Sequence, residues 1–102
     1  MKVFACILLF CTYLSQIGMM AQNKVILSGI VTDKHGTPLP QVTIAVENST
    51  SGTYTDDKGR YSLHILPGKH TLVVSFIGYQ TIKSTLNIQQ NKKIDFTLEE
   101  NS

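Results

Sequence analysis

Cysteine is scarce in this chain of 102 residues, and its two cysteines, Cys6 and Cys11, both lie close to the N-terminus. A domain built from the rest of the chain has no disulfide, so its hydrophobic core alone must stabilise it. The same scarcity excludes a thiol nucleophile and a cysteine-based metal site beyond Cys11. Arginine occurs once, at Arg60, charged residues make up only 16% of the chain, and the formal net charge is +2. Because there is no basic stripe to follow a phosphate backbone, we expect no nucleic-acid partner.

One long apolar run is present, and it lies at the N-terminus. Lys2 gives a minimal positive segment, residues 3–14 are continuously apolar apart from Thr12, and Ser15 and Gln16 then break the run. This layout, followed by Ala21, predicts a signal peptide over residues 1–21 and a domain over residues 22–102. A retained membrane anchor over residues 3–21 is the alternative, because this stretch carries no charge and nearly reaches bilayer-spanning length. After cleavage, no transmembrane segment is expected.

The remainder of the chain alternates between apolar and polar residues, which is typical of half-buried strands. No stretch after residue 22 has convincing helical periodicity. The pattern predicts about seven strands, with a short edge strand third and a hairpin turn at residues 89–92 before the last. The predicted strands cover residues 25–32, 42–47, 53–55, 61–65, 71–76, 82–88 and 94–98.

A repeated turn signature separates these strands. The pattern Thr-Asp-x-x-Gly-x occurs at residues 32–37 and again at residues 55–60. In each copy the aspartate, Asp33 or Asp56, can accept hydrogen bonds from the backbone that follows it. The glycine, Gly36 or Gly59, supplies the positive φ that closes the turn. Pro38 predicts a loop after the first turn, because proline cannot donate a hydrogen bond to a central ladder. Pro67 and Gly68 predict a tight turn, and Gly78 predicts a bend.

Short strands with one apolar face each need a second sheet to bury that face. We therefore predict an all-β fold, a seven-stranded Greek-key β-sandwich. Both faces of the first strand are partly apolar, so its inward face is ambiguous. The predicted core residues are Ile30, Val42, Ile44, Val46, Tyr61, Leu63, Ile65, Leu72, Val74, Phe76, Ile82, Ile94, Phe96 and Leu98.

The residues that could carry chemistry are few. His35, His64 and His70 lack the spacing of common metal sites, although His64 and His70 could become neighbours around the Pro67 turn. The aspartates of the two turns lack the further oxygen ligands of a calcium loop. We predict no catalytic residue, no metal and no cofactor. Tyr54 and Tyr79, near an edge and a bend, are the candidate ligand contacts, since exposed aromatic rings can stack on sugars, although packing is the favoured role for both.

The turn, strand and bend residues together resemble one known family, the carboxypeptidase-regulatory-like domain of Bacteroidota-type bacteria. The resemblance covers residues 25–98. It implies a transthyretin-like (prealbumin-like) sandwich in which the motif residues are structural. These residues are Gly29, Asp33, Gly36, Pro38, Asp56, Gly59, Tyr61, Pro67, Gly68, Gly78 and Tyr79.

The nearest form of this family is the domain that follows the signal peptide of starch-utilisation-type TonB-dependent outer-membrane transporters. The resemblance implies a non-enzymatic accessory domain, exported to the periplasm or outer membrane, whose partner is a cell-envelope protein such as a glycan or peptide transporter. The sequence ends at Ser102 without a TonB-contact segment, plug or barrel. The expectation is therefore a free-standing accessory protein or the front end of a transporter. The alternative is a stand-alone carbohydrate-binding or adhesion module. Hydroxyisourate hydrolases are similar in fold, but their Tyr-Arg-Gly-Ser terminus is absent here.

Overall fold

The fold consists entirely of strands and connecting turns in the part of the chain that can be described. The structure, a computed structural model, describes residues 23–101. The signal peptide predicted over residues 1–21 lies outside these residues. No helix within residues 23–101 is long and apolar enough to cross a membrane. The strands are β1 (Val25–Asp33), β2 (Thr43–Val46), β3 (Gly52–Tyr54), β4 (Arg60–Ile65), β5 (Gly68–Ser75), β6 (Ile82–Ile88), β7 (Lys92–Lys93) and β8 (Phe96–Leu98).

The strands form two sheets of four. The first sheet has β1 at its centre, with β4 antiparallel on one side and β7 and β8 parallel on the other. The second sheet is antiparallel throughout, in the order β3-β2-β5-β6. The predicted all-β sandwich is therefore confirmed, and β3 is an edge strand as its short length suggested.

The C-terminal part of the chain differs from the prediction in two ways. Of the single strand predicted over residues 94–98, only β8 is observed, and Ile94 and Asp95 separate it from an additional short strand, β7. The predicted hairpin at residues 89–92 is wrong, because β6 and β7 belong to different sheets. The polar residues there connect the two layers, and the chain then runs parallel to β1.

The core lies between the two sheets and confirms most of the predicted residues. Val42, Ile44 and Leu72 are fully buried, whereas Phe76, Ile82 and Ile94 are partly buried against the same cluster. Ile30 is the wrong prediction. The other face of β1, carrying Val25, Leu27 and Val31, is the buried one. Both faces of β1 are apolar in part, so its phase depends on its pairing with β4 and the C-terminal strands.

Candidate functional site

The two copies of the turn signature adopt the same structure. Asp33 Oδ1 accepts hydrogen bonds from the N–H of His35 (2.8 Å) and of Thr37 (3.0 Å). Asp56 Oδ1 accepts equivalent bonds from the second and fourth residues after it, each at 2.9 Å. The bond from the fourth residue, Thr37 or Arg60, is the main cause that holds the pKa of each aspartate below its ordinary 3.8. These carboxylates are therefore engaged in closing turns.

The glycines of the two turns differ in their surroundings. Both have positive φ, 82° at Gly36 and 75° at Gly59, as the turn geometry requires. A Cβ at Gly36 would meet no atom within 4 Å, but one at Gly59 would lie 2.6 Å from Val31 O and 3.1 Å from Pro38 Cβ. The second turn therefore packs directly on the loop that follows the first, which explains why Pro38 and Gly59 belong to one motif.

Thr55 connects the same loop to β3, and sequence reasoning missed this role. Its side chain is 2% exposed, and its Oγ1 donates to Leu39 O (2.6 Å) while accepting from Val42 N (3.0 Å). Its backbone N–H and C=O bond to Val42 O and Gln41 N. The repeated threonine before Asp in the two turns could have pointed to such a role. Of the two, Thr55 is buried, whereas Thr32 is only partly buried.

Gly29 and Tyr61 explain the interruption between β7 and β8. A Cβ at Gly29 would lie 1.8 Å from Ile94 O, so Ile94 and Asp95, which connect β7 to β8 and which we call the crossing chain, lie directly against the backbone of β1. Tyr61 Oη donates to that same Ile94 O (2.5 Å), and Asp95 Oδ1 accepts the Ile30 N–H (2.9 Å). Burial, and secondarily the Asp95 carboxylate, raise the pKa of Tyr61. The phenol therefore stays protonated and acts as a hydrogen-bond donor in the fold.

The remaining motif residues shape the two ends of the sandwich. Pro67 and Gly68 lie where the chain passes from β4 in the first sheet to β5 in the second, and Gly68 has a φ of 143°. At the opposite end of β5, Gly78 has a φ of 89°. The Tyr79 ring, half-buried, stacks on Phe76 with centroids 5.6 Å apart. The face of Tyr79 that contacts Phe76 is thus used for packing.

The histidines are not brought together with acidic residues into a metal site. His64 and His70 lie on strands of different sheets, although both line a cleft of about 350 Å³ that also contains Lys24 and Glu47. The His70 Nε2 is hydrogen-bonded to Leu66 O (2.7 Å). Within residues 23–101, no three His, Cys, Asp or Glu side chains could jointly hold a metal ion.

The outer face of the second sheet carries exposed side chains, among them the two most exposed large hydrophobic residues within residues 23–101, and we call it the Tyr54–Ile77 surface. Tyr54 is opposite Thr43 on β2, and Thr43 is opposite Ser75 on β5, so these three side chains share the outer face of the second sheet. Tyr54 is 65% exposed, and Ile77, two residues beyond Ser75, is 95% exposed. A shallow groove of about 510 Å³ lies at the Ile77 end of this surface and is lined by Gln41, Thr43, Ser75, Phe76 and Ile77, whereas Tyr54 lies outside it.

Solved structures show the same fold at low sequence identity. A cohesin–X-dockerin complex from Acetivibrio cellulolyticus contains a chain that matches with a TM-score of 0.64 and 15% identity, covering 72% of this chain and 56% of that one. A 3-chlorocatechol 1,2-dioxygenase from Rhodococcus opacus matches with a TM-score of 0.65 and 14% identity, covering 79% and 61%. At such identities the likeness concerns the fold alone.

Two relatives are much more similar in sequence. TonB-dependent receptor P39 of Formosa agariphila is 40% identical over 78 residues, which is 76% of this chain and 7% of the receptor. TonB-dependent receptor SusC of Bacteroides thetaiotaomicron is 36% identical over 69 residues, which is 68% of this chain and 7% of the receptor. The chain thus spans about 7% of the length of each of these relatives. Residues 27–102 match the family described as the CarboxypepD_reg-like domain, and the chain belongs to that family.

Proposed function

We propose that this protein is a non-enzymatic, exported interaction module that works with a TonB-dependent receptor in the cell envelope, as its front end or as a separate accessory protein. The observation that carries the proposal is the 40% identity with a segment of TonB-dependent receptor P39. In this proposal residues 1–21 are a cleaved signal peptide. Residues 22–102 then act in the periplasm or at the outer membrane.

The use of the polar motif residues supports a role in binding rather than in catalysis. Asp33 and Asp56 close turns, Tyr61 fixes the crossing chain, and Thr55 ties a loop to an edge. Among residues 23–101, every buried side-chain nitrogen or oxygen has a hydrogen-bond partner. These polar side chains are thus engaged in hydrogen bonds within the sandwich.

The Tyr54–Ile77 surface is the contact that we propose for the envelope partner. A partner strand added at the edge strand β3 would form few backbone hydrogen bonds. Hydrogen-bonded pairs alternate along an antiparallel ladder, so only Gly52 and Tyr54 direct their backbone groups outward, and Thr55 is fully engaged. A 95% exposed isoleucine and a 65% exposed tyrosine instead offer apolar area on one outer face. Aromatic and aliphatic anchors of this kind contribute most of the binding energy at protein interfaces.

Site-specific photo-crosslinking in cells tests this contact. A photoreactive residue at Ile77 or Tyr54 should form an adduct that mass spectrometry identifies as a TonB-dependent receptor. The same residue placed at Ser62, exposed on β4 of the other sheet, is the matched control and should not. Absence of any receptor adduct from Ile77 and Tyr54, with the protein detected in the envelope fraction, would count against the proposal.

The two forms of the proposal are separated by the size of the gene product. An antibody raised against residues 23–101 would detect either a receptor-sized band or a band of the domain alone. Sequencing the gene beyond codon 102 gives the same answer independently. A receptor-sized product would make the domain the periplasmic front end of its own receptor, whereas a small product would make it a separate accessory protein.

Carbohydrate binding is the second candidate, favoured by the exposure of Tyr54. Tyr54, Thr43 and Ser75 occupy one row across the outer face of the second sheet, and an aromatic ring beside hydroxyl-bearing residues suits a sugar ring. Glycan-array binding that is lost in Tyr54→Ala, or in Tyr79→Ala for the second candidate tyrosine, would support this function. A wild-type protein that binds no glycan on the array would refute it.

A further inference from the structure

We propose that the C-terminal strands and β1 form a mechanical clamp that resists force applied to the two ends of the chain. β1 runs from Val25 to Asp33, and β8 runs beside its far end in the same direction, with Val31 opposite Phe96 and Asp33 opposite Leu98. The chain enters the domain at the Val25 end of β1 and continues past the Leu98 end of β8. Opposed forces on the two ends therefore act along the strands, in opposite directions.

In this geometry the hydrogen bonds between the two segments carry the load together. They include Ile94 N to Ser28 O (2.7 Å) and two side-chain bonds, Ile30 N to Asp95 Oδ1 and Ile26 N to Asn91 Oδ1, both 2.9 Å. The β1–β7 and β1–β8 ladders add their own bonds. Sliding one segment past the other must break these bonds nearly at once, because all of them join the same two parallel segments and are loaded together.

Packing adds to this resistance on the buried side. Leu27, Val31 and Leu98 are each 0% exposed, and Phe96 is 7% exposed against the ring of Tyr61 at a centroid distance of 6.1 Å. Sliding would drag these side chains through a close-packed core. The backbone of Ile94 also rests on Gly29 and is held there by the Tyr61 hydroxyl. The crossing chain therefore cannot shift along β1 without losing both contacts.

A second set of bonds lies between the clamp and the C-terminal end of the chain. Gln80 N donates to Glu99 O (2.8 Å), and Asn101 N donates to Gly78 O (2.9 Å). Force arriving from the C-terminal side must break these bonds before it reaches β8. The clamp is a property of the domain itself, so its test stands whether or not the envelope partner proposed above is found. Within that proposal, it would keep the domain folded while an energised neighbour pulls on it.

Single-molecule force spectroscopy with two pulling directions tests the clamp. In the first, the full chain is held at both ends between marker domains of known unfolding force. In the second, handles are attached at the C-terminus and at Lys34→Cys, in a chain also carrying Cys6→Ser and Cys11→Ser. Lys34 follows Asp33, the partner of Leu98, so this second direction opens the pair from its end, one bond at a time. We expect a several-fold higher unfolding force for the end-to-end direction, and equal forces would overturn the proposal.

Substitutions at Asp95 test the side-chain part of the clamp. Asp95→Ala removes the acceptor for the Ile30 N–H, and a lost hydrogen bond of typical strength speeds unfolding about fivefold. We expect that increase only in the end-to-end direction, since peeling from residue 34 is limited by bonds nearer Leu98. Asp95→Asn keeps an oxygen acceptor and should behave like the wild type. An Asp95→Ala protein with unchanged end-to-end unfolding, or one weakened equally in both directions, would overturn the role of Asp95.

Discussion

Replacing Gly29 with alanine should be one of the most damaging single-methyl additions to this domain. The new Cβ would lie 1.8 Å from Ile94 O and 2.6 Å from the Ile94 carbonyl carbon, whereas real Cβ contacts are essentially never below 3.0 Å. The obstacle is backbone, so it cannot rotate away. Either β1 or the crossing chain must move by more than an ångström.

A displacement of this size removes the hydrogen bonds that converge on the crossing. The Tyr61 Oη to Ile94 O bond of 2.5 Å, the Ile94 N to Ser28 O bond of 2.7 Å and the Ile30 N to Asp95 Oδ1 bond of 2.9 Å all lengthen beyond bonding distance. Each contributes about 1 kcal/mol, and overpacking costs a further 1–3 kcal/mol or so. We expect Gly29→Ala to lower the free energy of unfolding by about 4–6 kcal/mol, a large part of the roughly 5–15 kcal/mol typical of a domain.

Urea denaturation followed by far-ultraviolet circular dichroism measures this loss. Gly52→Ala is the matched control, because Gly52 lies on the edge strand β3 and its Cβ would be 3.2 Å from the nearest atom, Ile44 O. We expect the control to change the free energy of unfolding by less than about 1 kcal/mol. If the two variants were equally stable, the close crossing at Gly29 would not exist as described.

Three further results are expected. Thr55→Val should lower the free energy of unfolding by about 2–3 kcal/mol in urea denaturation, because it leaves Leu39 O and Val42 N without the hydroxyl to which they are hydrogen-bonded. Thr55→Ser keeps a hydroxyl and should retain most of the wild-type stability. Tyr61→Phe should cost about 1 kcal/mol in the same assay, and alkaline absorbance titration should show that the Tyr61 phenol ionises above the usual range. Asp33 and Asp56 have folded-state pKa values below 3.8, so their stabilisation is present above that pH and is lost as the pH falls through the lowered values. The denaturation midpoint of Asp33→Asn and Asp56→Asn variants should therefore vary less between pH 2 and about 5 than that of the wild type.

The turns and most strands could be predicted from the sequence because they depend on residues that are close together in the chain. The bonds from Asp33 and Asp56 reach only two and four residues along the chain, so the spacing of Asp and Gly specifies them. Period-two alternation likewise placed Ile44 and Leu72 in the core without knowledge of their partners. These elements could be assigned from short windows of sequence.

The features that could not be predicted depend on distant partners. Ile30 was assigned to the wrong face because the phase of β1 is set by its pairing with β4 and with the C-terminal strands, both distant in sequence. The break between β7 and β8 follows from the contact of Ile94 with Gly29, and the burial of Thr55 follows from its bonds to a loop. Of the candidate site, sequence suggested Tyr54 but gave no reason to single out Ile77, whose exposure follows from the bend at Gly78.

β1 lies between β4 and the C-terminal strands β7 and β8, and this position affects when the chain can fold. Its hydrogen bond from Ile30 to Asp95 spans 65 residues, so the first sheet cannot be completed until almost the whole chain has been synthesised. Such high contact order slows folding, because a long loop must close before these contacts form. For a protein exported as proposed above, slow folding would be an advantage, since the chain would remain unstructured and competent for translocation until it had crossed the membrane.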